Sequence, residues 1–214
     1  MATDAAALAA YVARQAEAMF PDGSRIGPAL APHIEEAVRK TETLVGSLKA
    51  WNARGFDPMV SWQYASFLYF ASNLIWRRSG DNAAPTKLFL LNKALNAVEL
   101  FYEIELPAHF FLSHTPGLVF AKAVYGDYCV FHQNCTVGRN GDDRPQLGEG
   151  TVLFPGAMVI GNCKVGRNTV LTPGVRLIDT DTPGDCYVFD GKGAQPLFKP
   201  IDEFFAERYF VRGA

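Results

Sequence analysis

The sequence predicts an α+β protein in which an N-terminal α-helical domain precedes a parallel β-helix of hexapeptide repeats. Two observations carry this prediction: the first hundred residues have helical apolar spacing, and an aliphatic residue recurs at every sixth position from Leu118. At 214 residues the chain is long enough for two modest units packed together. We expect the helical domain at 1–104, the β-helix at 105–190 and a C-terminal tail at 191–214.

Four segments of the first hundred residues predict helices. Residues 5–19 are rich in alanine, and residues 31–50 carry apolar side chains at helical spacing. A Pro/Gly/Asp break at 54–58 ends this pattern. Residues 60–78 and 85–102 predict two further helices, and their high apolar content indicates burial on more than one face.

The hexapeptide period falls into two runs separated by residues 139–146. The first run is Leu118, Val124, Val130 and Thr136. Each hexapeptide forms a short strand and a turn, and three of them close a triangular coil of about 18 residues. The repeating side chains therefore point into the prism, and the interruption at 139–146 predicts a protruding loop. The second run is Leu147, Leu153, Val159, Val165, Leu171 and Leu177.

Composition and charge exclude several classes of protein. A hydrophobic content of 49% and a charged content of 20% are ordinary for a folded globular chain. A net charge of −2 gives no general attraction to nucleic acid or to a membrane surface, and no apolar run reaches the length of about 18 residues that a spanning helix needs. The start of the chain lacks the features of a signal peptide, and four cysteines without a CxxC pair suit a reducing compartment. We therefore expect a cytoplasmic protein without nucleic-acid or membrane partners.

Four segments resemble motifs of the serine acetyltransferase branch of the hexapeptide-repeat acyltransferases. They are H-T-P-G-L-V at 114–119, Q-N-C-T-V-G at 133–138, G-D-D-R-P-Q-L-G at 141–148 and G-A-M-V-I-G-N at 156–162. The resemblance extends over about residues 60–190. It implies a left-handed β-helix, acetyl-CoA as co-substrate with no metal, and a homotrimer or dimer of trimers. It further implies active sites between neighbouring prisms and a small-molecule acceptor.

The resemblance implies transfer of an acetyl group to a hydroxyl by histidine general-base catalysis. His114 stands at the catalytic position of the family, and a neutral imidazole suits the removal of a hydroxyl proton. The family orients its histidine with an upstream acidic residue, and Glu105 in I-E-L-P occupies a similar segment. The spacing from Glu105 to His114 is about six residues shorter than in the family, so Glu103 is the alternative partner.

The resemblance also implies where the acceptor binds. In the family a histidine and an arginine of the protruding loop hold the substrate carboxylate, and by position Arg144 replaces that histidine and Asp143 that arginine. His132 follows His114 by 18 residues, about one coil, and is a further candidate for substrate binding. Asp57 precedes a helix and is a candidate for contact with a substrate amine. Because these loop residues differ from those of the family, the resemblance leaves open whether the acceptor is L-serine.

Small residues at the coil corners suit the approach of the coenzyme. Gly156, Ala157 and Gly174 allow a pantetheine arm to lie close to the backbone. The segment 191–196 stands in place of the G-x-P-A-R turn with which the family usually closes over the coenzyme. Candidates for the coenzyme phosphates are Arg176 and Lys192, with Lys164 and Arg167 as further basic residues.

Three other interpretations of the sequence remain open. The first is an acetyltransferase for a sugar or for another hydroxyl or amine acceptor, which an open, Tyr-rich cleft would favour. The second is a γ-type carbonic anhydrase, in which His109 and His114 would be zinc ligands with His33 as the remaining upstream histidine. The third is a non-catalytic scaffold that binds no acetyl-CoA.

Overall fold

The computed structural model describes residues 4–191 and 195–211, in which a helical unit precedes a β-helix. Asp4 is the N-cap of the first helix, and its side chain accepts a hydrogen bond from the backbone N–H of Ala7 at 3.1 Å. The longest helix ends where Gly80 takes a left-handed backbone conformation with φ 67°. The helices are α1 (Ala5–Met19), α2 (Gly27–Leu30), α3 (Ile34–Gly46), α4 (Ser61–Ser79) and α5 (Ala83–Asn96), with a 3-10 turn at Ala31–His33.

Helix α4 forms the centre of the helical unit. Every residue from Trp62 to Ile75 in this helix is buried. It packs against α3 on one side and α5 on another. This is the burial on more than one face that the apolar content of the segment predicts.

The β-strands form three sheets, one on each side of a triangular prism. The first sheet has the order β1-β3-β6-β9-β12, the second β4-β7-β10 and the third β2-β5-β8-β11-β13, with β14 added antiparallel to β13. The other strand pairs are parallel, and the five strands of the first sheet mark five coils. The predicted fold class is confirmed. The strands are β1 (Val98–Leu100), β2 (Phe110–Ser113), β3 (Leu118–Phe120), β4 (Val124–Tyr125), β5 (Cys129–His132), β6 (Thr136–Gly138), β7 (Gln146–Leu147), β8 (Val152–Leu153), β9 (Met158–Ile160), β10 (Lys164–Val165), β11 (Thr169–Leu171), β12 (Arg176–Ile178), β13 (Cys186–Asp190) and β14 (Pro196–Pro200).

The last helix is shorter than the sequence predicts, because it ends at Asn96 and not at residue 102. The next residue, Ala97, takes a left-handed conformation with φ 52°, and residues 98–100 form β1. This strand pairs with β3 of the next coil and buries both of its apolar side chains. Pairing with the sheet therefore overrides the helical propensity of the segment. Strand β1 lies upstream of residue 105, where we expected the β-helix to begin.

The second run of the hexapeptide repeat has the predicted phase, whereas the first run departs from it after Leu118, which is buried as predicted. Val124 is 62% exposed, and Thr136 is partly exposed. Tyr125, Phe131 and Val137 take the inward positions instead. After Leu118 the predicted phase of the first run was wrong because it followed aliphatic residues, whereas the rings of Tyr125 and Phe131 help to fill the prism there. The second run is buried as predicted, with Leu147, Leu153, Val159, Val165, Leu171 and Leu177 at most 4% exposed.

Glycines allow the coils to stack closely at the corner between the second and third sheets. A Cβ atom on Gly148 would lie 2.6 Å from the backbone nitrogen of Arg167 in the next coil, and one on Gly126 would lie 2.5 Å from the backbone nitrogen of Glu149. We expect Gly148→Ala to lower the free energy of unfolding by about 1–3 kcal/mol, because the backbone of the next coil must shift. Urea denaturation measures this change.

Gly46 provides the matched control for this prediction. A Cβ atom at the end of α3 would meet nothing within 4 Å, so Gly46→Ala adds the same methyl group without a clash. We expect this control to leave stability unchanged or to raise it slightly, because alanine favours helix. Equal stability of the Gly148→Ala variant and the wild type would contradict close stacking at this corner.

The C-terminal segment, defined here as residues 201–211, covers the outer face of the third sheet. Phe205 packs against Tyr187 of β13 with ring centroids 5.8 Å apart. Tyr209 packs against Phe111 of β2 with ring centroids 6.1 Å apart. The segment therefore runs from the last coil back to the first.

The end of this segment joins the helical unit. The backbone N–H of Lys49 donates to the carbonyl of Tyr209 at 2.8 Å, and the N–H of Val211 donates to the carbonyl of Ser47 at 2.8 Å. Phe210, between these two contacts, is buried with 1% exposure. The segment thus connects the β-helix with the loop that follows α3.

Two further properties concern the helices and the cysteines. Within residues 4–191 and 195–211, no helix has the length and apolar character needed to cross a membrane. The four cysteines are unpaired and buried. Burial raises the pKa of Cys129 to about 12 and that of Cys135 to about 11, so these thiols stay protonated at neutral pH.

Candidate active site

His114 lies on an insertion at the first corner between the third and first sheets. Ser113, the last residue of β2, pairs with His132, and Gly117 lies directly against Asn134 of the next coil. Between these two points the first coil has three residues where the second coil has one. His114 takes a left-handed conformation with φ 64° and is exposed. The insertion therefore projects the imidazole from the edge of the prism.

The corner that carries His114 is attached to the helical unit. The hydroxyls of Thr115 and Ser61 are 3.0 Å apart, and Ser61 also donates to the side-chain oxygen of Asn96 at 3.0 Å. The backbone N–H of Gly117 donates to the carbonyl of Ala97 at 2.9 Å. These bonds from the first turn of α4 and the end of α5 fix the corner, which is the preorganisation that a positioned catalytic group needs.

His132 is a half-buried neighbour of His114. Its ring stacks on Phe154, with centroids 4.9 Å apart and planes 11° from parallel. Its Nε2 atom lies 3.3 Å from the hydroxyl of Tyr209. Burial lowers the pKa of His132, and the charge of protonated His114 lowers it further. The structure thus pairs His132 with Ser113, the residue before His114, in the neighbouring coil.

The two acidic candidates for a partner of His114 form ion pairs elsewhere. A carboxylate oxygen of Glu105 lies 3.4 Å from the guanidinium of Arg77, and Glu103 pairs with Lys122. Both glutamates precede β2, whereas His114 follows it. The carboxylates therefore lie before the start of this strand and not beside the catalytic candidate.

Helix α4 closes the first coil on the side where the later coils have a strand of the second sheet. The first coil has no strand in the second sheet, and α4 takes the place of that strand. The Tyr69 hydroxyl donates to the carbonyl of Ile104 at 2.7 Å, and the Asn73 amide donates to the carbonyl of Tyr102 at 2.7 Å. The first coil nevertheless lacks no hexapeptide, because residues 101–109 separate β1 from β2 and residues 121–128 separate β3 from β5 in the next coil.

The loop at 139–146 protrudes at the corner between the first and second sheets. Asn140 and Asp143 form an antiparallel bridge, and the Asn140 amide donates to the Asp179 carboxylate at 3.2 Å. Arg144 is exposed and lines a pocket of about 310 Å³. This corner follows β6, whereas His114 follows β2 at a different corner. Within one chain, Arg144 and Asp143 therefore lie along a different edge of the prism from His114. The other charged residues of the pocket are Glu103, Glu105 and Lys122.

Asp57 lies in the loop before α4. Its carboxylate accepts a hydrogen bond from the backbone N–H of Met59 at 2.8 Å, and its own N–H donates to the side-chain oxygen of Gln63 at 2.7 Å. These bonds shape the entry to α4. Contact of Asp57 with a substrate amine stays a prediction.

A line of small and left-handed residues runs along the edge that carries His114. This glycine edge consists of Gly117, Asn134, Gly156 and Gly174, all with positive φ. A Cβ atom on Gly174 would meet nothing within 4 Å, and one on Gly156 would approach only Gly174, at 3.9 Å. The edge therefore leaves open space beside the backbone at Gly156 and Gly174, whereas at the first coil, which carries His114, the Asn134 side chain fills the space beside Gly117.

The other coenzyme candidates differ in position. Arg176 is exposed on β12 directly after the glycine edge, and Ala157 is fully buried inside the prism. Arg167 lies 2.9 Å from Asp185 and stacks over a ring of the C-terminal segment. Lys164 is exposed on β10 in the second sheet. Lys192 lies outside the described residues.

Two features of the site region were not predicted from the sequence. His109 Nδ1 lies 2.9 Å from the Asp127 carboxylate, and its ring stacks on Tyr128 with centroids 4.8 Å apart. Tyr209 reaches His132 from 77 residues away along the chain. The aromatic content of the C-terminal segment was the available signal for the second feature. In residues 4–191 and 195–211, no three His, Cys, Asp or Glu side chains are grouped so as to hold a metal ion.

Comparison with curated proteins identifies serine acetyltransferases as relatives. The chain is 30% identical to a serine acetyltransferase of Synechococcus elongatus over 139 residues, which is 63% of this chain and 53% of the relative. A serine acetyltransferase of Synechocystis is 29% identical over 86 residues, 38% of this chain and 34% of the relative. The chain thus spans about half, or less, of the length of these relatives. No family model matches the chain.

Solved structures with the same fold carry the same name. The serine acetyltransferase of Neisseria gonorrhoeae has a TM-score of 0.72 at 17% identity, covering 95% of this chain and 82% of that one. The serine acetyltransferase of Brucella abortus in complex with coenzyme A has a TM-score of 0.66 at 18% identity, covering 90% and 82%. The resemblance predicted from the four motifs is therefore confirmed: this chain resembles the serine acetyltransferases in sequence and shares their fold of helices followed by a β-helix.

Proposed function

We propose that this protein is an acyltransferase that moves an acetyl group from acetyl-CoA to the hydroxyl of a small acceptor, with L-serine as the first candidate. The observation that carries the proposal is the exposed His114, held on its insertion at the first coil of the glycine edge. The sequence similarity to serine acetyltransferases supports the acceptor class. The similar Brucella abortus structure, a complex with coenzyme A, supports the acyl donor.

The proposed chemistry needs one proton acceptor and close alignment of the two substrates. His114 removes the proton of the acceptor hydroxyl as its oxygen attacks the thioester carbonyl. The tetrahedral intermediate then expels the coenzyme A thiolate, to which the imidazolium returns the proton. The thioester is already activated, so alignment supplies much of the remaining rate enhancement. The open space at Gly156 and Gly174 suits an extended pantetheine arm that points the thioester towards the first coil.

The proposed active site lies between subunits. Arg144 and His114 occupy different edges of one prism, so a single chain does not bring them to one acceptor. In a homotrimer or dimer of trimers, the loop at 139–146 of one subunit would reach the His114 edge of the next. The free cysteines of the protein suit a reducing compartment, and we include a cytoplasmic location in the proposal.

Acceptor profiling tests the proposed function. Purified protein is incubated with acetyl-CoA and with L-serine, other hydroxy amino acids or sugars, and thiol release is followed. We expect release with L-serine. Release with a sugar but not with serine would overturn the proposed acceptor, and the lack of both release and coenzyme binding by calorimetry would overturn the enzyme class.

Arg144 provides a test of carboxylate recognition. We expect Arg144→Gln to raise the KM for an amino-acid acceptor about tenfold or more while leaving the KM for acetyl-CoA unchanged. The substitution removes the guanidinium and with it a charge-assisted hydrogen bond to the acceptor carboxylate, which is worth about 1.5–3 kcal/mol. Arg139→Gln, in the same loop with the same change of charge, is the matched control. Equal KM values for the two variants would argue against a clamp at Arg144.

Mixed oligomers test the shared site. Subunits carrying His114→Asn and subunits carrying Arg144→Gln are coexpressed with different tags and purified by both tags. If each site takes His114 from one subunit and Arg144 from its neighbour, some sites in the mixture contain both wild-type residues, and acceptor affinity and turnover recover. Mixtures with no more activity than the separate variants would contradict a site between subunits.

A further inference from the structure

The C-terminal segment places a phenol against the second histidine of the proposed site. The Tyr209 hydroxyl lies 3.3 Å from His132 Nε2, and the two rings meet edge to face with centroids 6.1 Å apart. The imidazole also stacks on Phe154, the residue after β8. His132 is thus held between the solenoid and the C-terminal segment, beside the corner that projects His114.

We propose that Tyr209 is a positioning residue that donates its hydroxyl proton to His132 Nε2 and so keeps this imidazole fixed and neutral next to His114. The inference rests on the proposed function, because its purpose is to assist proton uptake by His114. A second positive charge beside His114 would oppose formation of the imidazolium. A neutral His132 removes that opposition.

The direction of this hydrogen bond follows from the chemistry of the two groups. A buried tyrosine hydroxyl needs an acceptor for its proton, and an unprotonated ring nitrogen is a good one. Burial raises the pKa of Tyr209, so the phenol keeps its proton at neutral pH, although Arg208 acts in the opposite direction. Burial lowers the pKa of His132, so the imidazole is the neutral partner. With Nε2 as acceptor, the ring proton of His132 is on Nδ1.

The charged surroundings of His132 do not supply a competing partner. His114 lies on the corner after β2 and disfavours a charge on His132. Arg208, on the C-terminal segment, pairs with Glu203 and lies over the ring of Phe205. Phe154, the residue after β8, carries no titratable group. Tyr209 is therefore the hydrogen-bonding group that the described contacts bring to this imidazole.

Nitrogen NMR of the full-length protein tests the bond without requiring activity. In protein labelled with 15N-histidine, we expect neutral His132 to have its proton on Nδ1, and Tyr209→Phe to shift it towards the Nε2-protonated form. Donation by Tyr209 requires an unprotonated Nε2, so the proposed bond favours neutral His132, and we expect its loss to raise the pKa of His132. Finding His132 with its proton on Nε2 in the wild type would overturn the proposal. If the protein transfers no acetyl group, this measurement still decides the bond.

Kinetics then test the consequence for catalysis. We expect Tyr209→Phe to lower kcat about 2- to 10-fold, the effect of one hydrogen bond, without changing the KM for acetyl-CoA. The acid limb of kcat/KM should move to higher pH, because His132 then becomes charged at higher pH. Tyr187→Phe is the matched control. Tyr187 of β13 also packs against the C-terminal segment, on Phe205, and none of the described contacts joins it to a histidine. An acid limb that does not move in Tyr209→Phe, or moves equally in Tyr187→Phe, would overturn the positioning role.

A double-mutant cycle separates this role from simple packing. His132→Phe keeps an aromatic ring between Phe154 and the C-terminal segment but removes the titratable group. In this background, Tyr209→Phe should have no further effect on kcat or on the pH profile. The same loss in both backgrounds would mean that Tyr209 acts through packing alone and would overturn the proposal.

Discussion

Replacing His114 with asparagine should lower kcat about 100- to 10,000-fold, the range expected for loss of a general base. The substitution removes the proton acceptor but keeps a side chain that tolerates the left-handed conformation of this residue, φ 64°. His114 is exposed, so little packing is lost. The measurement is acetyl transfer at saturating acetyl-CoA and acceptor, together with the thermal unfolding temperature.

The control for this prediction is His33→Asn. His33 lies at the N-terminus of α3, where asparagine is a favoured capping residue, and it belongs to the helical unit. We expect this variant to retain wild-type activity and stability. If His114→Asn kept activity within a few-fold of the wild type, His114 would not be the base. The His109–Asp127 pair would then be the first alternative, because a carboxylate already orients that imidazole.

Local sequence patterns predict the parts of this fold that repeat. In the second run, each aliphatic side chain points into the prism because the strand and turn of every hexapeptide have equal length. The first run has the same period, but Tyr125 and Phe131 take the inward positions, one residue later than Val124 and Val130. The six-residue period shows that coils exist. Which of two adjacent series of residues points inward depends on how the side chains fill the cross-section of the prism at each coil. That choice is decided by tertiary packing.

The termini of the repeat were harder to predict, because they are set by contacts with other elements. Strand β1 replaces the last turn of a predicted helix, since a partner strand exists 20 residues further along the chain. The contact of Tyr209 with His132 spans 77 residues and has no sequence motif. The motif around His114 was readable because its residues are consecutive in the sequence. The partner expected for it, Glu105, was placed by analogy with a motif of the family, and its carboxylate pairs with Arg77 instead.

Replacing Phe210 with alanine should lower the free energy of unfolding by about 3–5 kcal/mol, the cost of emptying a buried aromatic site. Phe210 is 1% exposed, packs edge to face on Tyr128 with centroids 5.3 Å apart, and forms an antiparallel bridge with Leu48. It therefore contacts both the solenoid and the helical unit. Urea denaturation measures the change, and Phe198→Ala is the matched control, because that ring is 36% exposed on β14.

The same variant tests whether the C-terminal segment is part of the site or only a cover. Phe210 follows Tyr209 directly, so loosening its anchor should also release the phenol from His132. We expect Phe210→Ala to lower kcat by at least as much as Tyr209→Phe at a temperature where the protein is still folded. A large loss of stability with unchanged kcat would show that the segment only covers the sheet. Loss of both would mean that one short segment joins the two units and supports the proton acceptor of the proposed reaction.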